Sequence, residues 1–164
     1  MTSKLEEGNF KAAIRLICSD DRPATDSQET LAALQAKHPP SAPDRRAPCN
    51  PDLARFDAIQ MSDTDIINAV RSFPAGSAGG PDGITPQHLK DLLATVTDGR
   101  LLNQLVQFIN LLLNGGLSQQ INEIIFRANL IALPKKYGGV RPIAVGYTWR
   151  RLAAKCANSY AVSN

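Results

Sequence analysis

The spacing of apolar residues divides the second half of the chain into helices followed by a hairpin. Between residues 62 and 114, apolar side chains recur every three or four positions, the period of a helix with one buried face. From Phe126 this helical period is lost. Two short apolar runs follow, at 126–133 and 140–145, and proline and glycine lie between them. Such runs are typical of β-strands. The sequence therefore predicts an α+β fold that is mostly helical with one β-hairpin.

Capping residues mark where the predicted helices begin, because Ser, Thr and Asp side chains accept hydrogen bonds from the first helical amides. Six helices are predicted: 9–18, one that Thr25 or Asp26 caps, Ser62 to Pro74, one that Thr85 caps, 101–114, and one that Thr148 caps. Pro86 follows Thr85 at the first helical position, where a missing amide hydrogen costs nothing.

Composition separates the first 50 residues from the rest. Residues 38–50 contain four prolines and the run Asp-Arg-Arg, so no regular element is predicted there. We predict a helical segment with a proline-rich linker over residues 1–50. Residues 57–164 then form the main unit, which we expect to be incomplete on its own.

Several classes of protein are excluded by composition. The three cysteines (Cys18, Cys49 and Cys156) are far apart, which argues against a disulfide framework or a zinc site and fits a reducing compartment. The N-terminus lacks the apolar run of a signal peptide. The most apolar stretch, 101–113, is too short and too polar to span a bilayer. We therefore expect an intracellular protein of the nucleus or cytoplasm that is not secreted and has no membrane partner.

Charge is unevenly distributed along the chain. Residues 1–123 contain 11 of the 18 lysines and arginines and all 15 acidic residues, whereas residues 124–164 contain 7 basic residues and no acidic one. A segment without carboxylates produces a positive field that attracts phosphate in a salt-dependent way. A chance excess of cations on a solvated surface is the alternative interpretation.

Three of these cations lie at the end of the predicted hairpin, and we call them the tip cations: Lys135, Lys136 and Arg141. Because neighbouring strands lie about 5 Å apart, a tight hairpin brings them to one end. Ammonium groups beside a planar guanidinium can bind a triphosphate or a nucleic-acid backbone. Lysines that protect an edge strand from pairing with another chain are the structural alternative.

Three segments also carry a resemblance to a known family. They read Gly-Pro-Asp-Gly-Ile at 80–84 with Pro-Gln-His-Leu-Lys at 86–90, Leu-Pro-Lys-Lys and Gly-Val-Arg-Pro-Ile-Ala-Val within 133–145, and Arg-Arg-Leu-Ala-Ala-Lys-Cys at 150–156. In this order they resemble the fingers region of reverse transcriptases, most closely those of non-long-terminal-repeat retrotransposons. The resemblance covers about residues 62–160 and departs at Tyr137, where an acidic or small residue is expected.

The resemblance implies roles for the hairpin. Lys135 or Lys136, together with Arg141, would contact the triphosphate of the incoming nucleotide. Ile143 and Val145 would lie against the templating base. The implied partners are therefore an RNA or DNA template and a deoxynucleotide triphosphate.

The resemblance also implies roles for the last helix and for the glycine-rich loop. Arg150, Arg151 and Lys155, which we call the helix cations, would line the path of the template backbone; a solvated helix face is the alternative. The loop is expected to be structural and comprises Gly80, Pro81, Asp82 and Gly83. Asp82 could equally hold a turn or contact a ligand.

No catalytic or metal-binding residue is predicted in this chain. Nucleotidyl transfer needs two divalent metals held by carboxylates. In the family these acids lie on palm strands beyond the matched region, and here no Asp or Glu follows Glu123. The Asp-Thr-Asp at 63–65 follows a helix cap, where acids interact favourably with the helix dipole. The resemblance thus implies no cofactor here, with Mg²⁺ expected only for a complete reverse-transcriptase domain.

Other chemistry is not supported by the sequence. The loop 76–83 matches neither a Walker A motif nor Gly-x-Gly-x-x-Gly. His38 and His88 are isolated, and Cys156 on an apolar helix stripe is expected to be buried and inert.

Three hypotheses follow. The chain is a fingers fragment of a retrotransposon-type reverse transcriptase that is not catalytic alone, a non-catalytic nucleic-acid-binding remnant, or a helical protein without a ligand. For a fragment we also expect an exposed apolar surface and low solubility, and the residues concerned are Phe126, Leu130, Ile131, Ile143 and Val145.

Overall fold

The structure, a computed structural model, describes residues 8, 10–18, 22–38, 57–96 and 98–163. Within these ranges the helices are α1 (Phe10–Cys18), α2 (Gln28–Lys37), α3 (Asp63–Arg71), α4 (Pro86–Thr95), α5 (Arg100–Leu113), α6 (Gln119–Ile125) and α7 (Thr148–Ser163). The strands are β1 (Ala128–Pro134) and β2 (Val140–Gly146), which pair with each other. The prediction of a mostly helical α+β fold with one hairpin is confirmed.

The described residues divide into two compact units. The first contains α1, α3 to α7 and the hairpin ends at 128–129 and 144–146. The second contains 22–38, with α2, and the outer hairpin at 130–143. Within it, the amide of Ala24 donates to the carbonyl of Ala132 on β1 over 2.8 Å. Apart from His38, the predicted linker lies outside the described residues, and the boundary between 50 and 57 stays a prediction.

The core of the first unit forms where α3, α5 and α7 pack against one another, with α4 packed on α3. Its centre consists of Ile66, Ile109 and Leu152, each of which is 0% exposed. Each buried side chain of this size stabilises the fold by about 1.5–3 kcal/mol. The buried residues around them are Met61, Ala69, Val70, Phe73, Leu89, Leu105, Leu112, Ala153 and Cys156.

Two predicted caps are found where the sequence puts them. The Ser62 hydroxyl accepts from the Asp65 amide, and the Asp65 carboxylate accepts from the Ser62 amide over 2.9 Å. The Ser62 hydroxyl also donates to the Asp65 carboxylate over 2.7 Å, and this bond, together with the one from the Ser62 amide, lowers the pKa of Asp65. Thr85 caps α4 in the same way, and Nδ1 of His88 accepts from the Thr85 amide over 3.3 Å. The side chain of His88 therefore has a structural role, because it completes the cap that Thr85 provides.

Asn110 in α5 and Asn114, which caps the end of this helix, hold the chain segment that precedes α3. The Asn110 side chain accepts from the Met61 amide over 2.8 Å and donates to the Met61 carbonyl over 3.2 Å. Asn114 makes the same pair of bonds to Ile59, at 2.9 and 2.8 Å. These amides satisfy backbone groups next to the core, where an unpaired group would be costly.

Several boundaries differ from the prediction. Helix α6 was not predicted; Ser118 caps it, and none of its residues is buried. Because α6 ends at Ile125, β1 begins at Ala128 rather than at Phe126. Ser27, and neither Thr25 nor Asp26, caps α2.

Candidate nucleic-acid interface

The hairpin turn depends on two glycines. Gly138 and Gly139 have φ angles of 90° and 78°, which side chains other than glycine rarely adopt. The Lys135 amide donates to the Gly139 carbonyl over 3.0 Å, and the Gly138 amide donates to the Lys135 carbonyl over 3.1 Å. Lys135 and Lys136 are therefore held within a closed turn at the end of the hairpin.

The strand register places the predicted β2 residues on one face. The bond from Lys135 to Gly139 closes the ladder, so residue 133 lies opposite 141 and residue 131 opposite 143. Because alternate side chains share a face, Arg141, Ile143 and Val145 project from the same side of β2. Ala132 and Val140, which are buried, project from the other side.

The tip cations are exposed. None of the three forms an ion pair or a side-chain hydrogen bond with another described residue. Ile143, next to Arg141 on the same face, is also exposed. The hairpin thus presents three positive charges and an aliphatic surface to solvent, an arrangement that can bind phosphate and pack against a flat base.

The helix cations are engaged differently, because they contact aromatic rings of the first unit. Arg150 donates from Nη1 to the carbonyl of Phe126 over 3.0 Å and lies 5.7 Å from the centre of the Phe126 ring. Lys155 Nζ lies 4.8 Å from the centre of the Phe73 ring. These are cation–π contacts, in which the ring face attracts the positive charge.

Arg151 is the most strongly held of the helix cations. Its Nη1 donates to the carbonyl of Ala78 over 2.7 Å, and its guanidinium lies 5.4 Å from the centre of the Phe73 ring. Its side chain is half-buried, and burial lowers the pKa of Arg151. Arg151 and Lys155 thus share one ring, and Arg151 also binds the loop that follows α3.

The glycine-rich loop packs against the start of α7. A Cβ atom on Gly80 would lie 2.6 Å from the Cα of Tyr147, so only glycine fits there. The Gly83 amide donates to the Gly80 carbonyl over 3.0 Å, and the Asp82 carboxylate accepts from the Ile84 amide over 3.1 Å. In this structure Asp82 therefore holds the turn.

Thr148 fastens the same loop from α7. It is the first residue of the helix rather than its cap, so the predicted cap is wrong. Its buried hydroxyl donates to the carbonyl of Ile84. Pro81, in the same loop, is half-buried. The bond from Thr148 and the close approach of Gly80 to Tyr147 thus join the loop to the segment that connects β2 with α7.

One exposed residue in the turn was not predicted to have a function. Tyr137 has a relative exposure of 101% and lies between Lys136 and Gly138. Its only signal in the sequence is that it departs from the resembled family. Arg127 at the start of the hairpin is also exposed and has no assigned role.

The described residues of the first unit also line an apolar cavity. An apolar cavity of about 340 Å³ lies among α4, α5 and α7, and no charged residue lines it. In the described ranges, no three His, Cys, Asp or Glu side chains are arranged to hold a metal ion. No described helix has both the length and the apolar character needed to cross a bilayer.

Known proteins do not identify the chain. No protein-family model, curated protein or solved structure matches it. The resemblance of the three segments to reverse transcriptases therefore stays a prediction.

Proposed function

We propose that this chain binds nucleic acid through its basic hairpin, in the manner of the fingers region of a reverse transcriptase. The observation that carries the proposal is the exposure of all three tip cations, without an ion pair to any described residue. They belong to a segment, 124–164, that has no carboxylate. Phosphate is the ligand that such a cluster attracts most strongly.

The face of β2 supports this proposal over simple protection of a strand edge. Edge protection requires only a charge on the strand. Here Arg141 shares its face with Ile143 and Val145, and an aliphatic surface beside a guanidinium suits a nucleotide, which has a charged phosphate and a flat base. The two lysines lie in the turn rather than along the strand edge.

The tip cations would be the main contacts to phosphate. Arg151 and Lys155 are held against Phe73, and Arg150 against Phe126, so part of their charge is used within the chain. Their binding to a template would be secondary to these contacts. This division makes the two groups of cations separable by mutation.

For the incoming nucleotide, the same tip cations would bind the triphosphate. Transfer would still require carboxylate-held metals, and residues 124–164 contain no Asp or Glu. The chain alone should therefore bind template and nucleotide without extending a primer. A non-catalytic nucleic-acid-binding protein is the second candidate, and it is favoured by the engagement of the helix cations with aromatic rings.

The test compares two triple variants in binding to a labelled single-stranded RNA of about 20 nucleotides, measured by fluorescence anisotropy. The tip variant is Lys135→Ala/Lys136→Ala/Arg141→Ala. The control is Lys11→Ala/Lys37→Ala/Arg71→Ala, which removes three exposed cations from the first 123 residues. Both variants lower the formal net charge from +3 to zero.

We expect the tip variant to bind about tenfold more weakly or worse, and the control to bind within about twofold of wild type. Equal loss in the two variants would show that only total charge matters and would contradict the proposal. Competition by deoxynucleotide triphosphate distinguishes the fingers function from the second candidate. Primer extension by this chain would contradict the predicted lack of catalysis.

A further inference from the structure

Tyr137 differs from every other large apolar or aromatic residue that the structure describes as exposed. Its relative exposure is 101%, whereas the next highest, Val162, has 87% and lies near the end of α7. Single exposed apolar residues are common on protein surfaces. Tyr137 is not a single exposed residue of this kind, because it lies at the end of a basic hairpin. Its neighbour Lys136 and the other tip cations are exposed as well, so a ring and three positive charges are offered to solvent together.

The ring of Tyr137 is also uncovered, in contrast to two phenylalanines of the first unit. The rings of Phe73 and Phe126 carry Arg150, Arg151 and Lys155 on their faces. No described cation lies over the ring of Tyr137, although the tip cations are its neighbours in sequence. Both faces of this ring are therefore open to a ligand.

The turn presents the ring with little loss of conformational freedom. Two hydrogen bonds, from Lys135 to Gly139 and from Gly138 to Lys135, close the turn around residue 137, and the two glycines that follow it adopt positive φ angles. Tyrosine itself has only two side-chain torsions to order on binding. Such a residue offers a large contact area for a low entropic cost.

We infer that Tyr137 stacks on an unpaired base while the tip cations bind the adjoining phosphates, so that the hairpin prefers single-stranded nucleic acid to duplex. This inference rests on the proposed function. Aromatic stacking combined with a positive surface is a general mode of binding single strands. In a duplex the base faces are already covered by their neighbours, so the ring has no surface to stack on except at the ends.

The test uses the full chain with two substitutions of the same residue. Tyr137→Leu removes the ring but keeps an apolar side chain, and Tyr137→Phe keeps the ring. Binding is measured for a single strand of about 20 nucleotides and for the blunt duplex of the same sequence, each as RNA and as DNA. Because Tyr137 is fully exposed, both variants should fold, which circular dichroism and thermal melting check.

We expect Tyr137→Leu to weaken binding to the single strand by about fivefold or more. Duplex binding should change by less than about twofold, and Tyr137→Phe should bind both substrates within about twofold of wild type. A larger effect on the RNA strand than on the DNA strand, or the reverse, would identify which nucleic acid supplies the base.

The outcomes separate this inference from the proposed function. If wild type binds no nucleic acid, the proposed function and this inference both fail. If wild type binds but Tyr137→Leu weakens neither substrate, or both equally, only the inference fails. Binding to vesicles of anionic phospholipid that depends on Tyr137, with no difference between single strand and duplex, would overturn the inference in favour of a lipid surface.

Discussion

The helical core and the hairpin of this chain use their side chains in opposite ways. Ile66, Ile109 and Leu152 at the centre of the core are completely buried, whereas Ala132 and Val140 are the only buried residues of the two strands. The aliphatic residues Ile131 and Ile143 on the outer hairpin are exposed. The core therefore carries most of the buried apolar side chains, whereas the hairpin leaves its residues exposed, as the proposed binding requires.

The cations follow the same division. In the first unit, Arg151 and Lys155 lie against Phe73, where they support packing. In the second unit, the tip cations are exposed and without described partners. Substitutions in the two regions should therefore separate stability from binding.

The largest difference in stability should come from removing the same aliphatic side chain in the two regions. Ile109→Ala should lower the free energy of unfolding by about 2–5 kcal/mol, because it leaves a cavity in a fully packed site. Ile131→Ala on the hairpin should lower it by less than about 1 kcal/mol. Urea unfolding followed by circular dichroism measures both. Equal losses would show that the hairpin is part of one cooperative core.

The next difference concerns two glycines of the same loop. Gly80→Ala should cost about 3 kcal/mol, because its Cβ would clash with the backbone of Tyr147. Gly83→Ala should cost about 1 kcal/mol, because it meets no atom within 4 Å and only its φ of 73° is unfavourable. Thermal melting of both variants checks this order. A tolerated Gly80→Ala would contradict the close packing of the loop on the residues before α7.

A smaller difference should separate two arginines. Arg151→Met should lower the free energy of unfolding by about 1–2 kcal/mol, because it removes the bond to Ala78 and the contact with Phe73. Arg141→Met should change it by less than about 0.5 kcal/mol while weakening RNA binding. Unfolding and anisotropy measurements on the same samples test whether Arg151→Met affects mainly stability and Arg141→Met mainly RNA binding. If Arg151→Met weakened binding most and left stability unchanged, the helix cations would be the main nucleic-acid contact.

The smallest expected effect is a dependence of stability on pH that comes from the buried thiol of Cys156 and is absent at neutral pH. Burial in the core raises the pKa of Cys156 from 9.0 to about 11. The folded chain thus holds this proton more tightly than the unfolded chain, so the contribution is complete below about pH 9 and is lost as the pH rises towards 11. Wild type should lose more stability over this range than Cys156→Ala, in which the thiol is absent. If the free energy of unfolding depended on pH in the same way in wild type and in Cys156→Ala, the predicted effect of burial on the pKa of Cys156 would be contradicted.

Local patterns in the sequence were sufficient for the elements whose ends depend on neighbouring residues. Ser62 and Thr85 cap their helices through residues three positions away, and the glycines at 138 and 139 set the turn. Helix α6 was missed because it spans only about two turns and buries none of its residues, so it has little apolar period to detect. Thr25, Asp26 and Ser27 are all residue types that cap helices, so residue type alone did not show that Ser27 caps α2.

The candidate site was predictable only in part, for a related reason. The tip cations adjoin a turn, so their common location follows from the sequence around it. The contacts of Arg151 with Ala78 and of Arg150 with Phe126 join residues 73 and 24 positions apart, which no local pattern encodes. The helix cations were therefore recognised as a basic face, while their aromatic partners were not.

The salt dependence of RNA binding by the two triple variants tests the central claim most directly. Each cation that contacts phosphate on a single strand adds about 0.7 to the slope of log affinity against log salt concentration. The tip variant should therefore have a slope shallower than wild type by about 2, while the control variant keeps the wild-type slope. Identical slopes for wild type and the tip variant would mean that Lys135, Lys136 and Arg141 contact no phosphate, and would contradict the account.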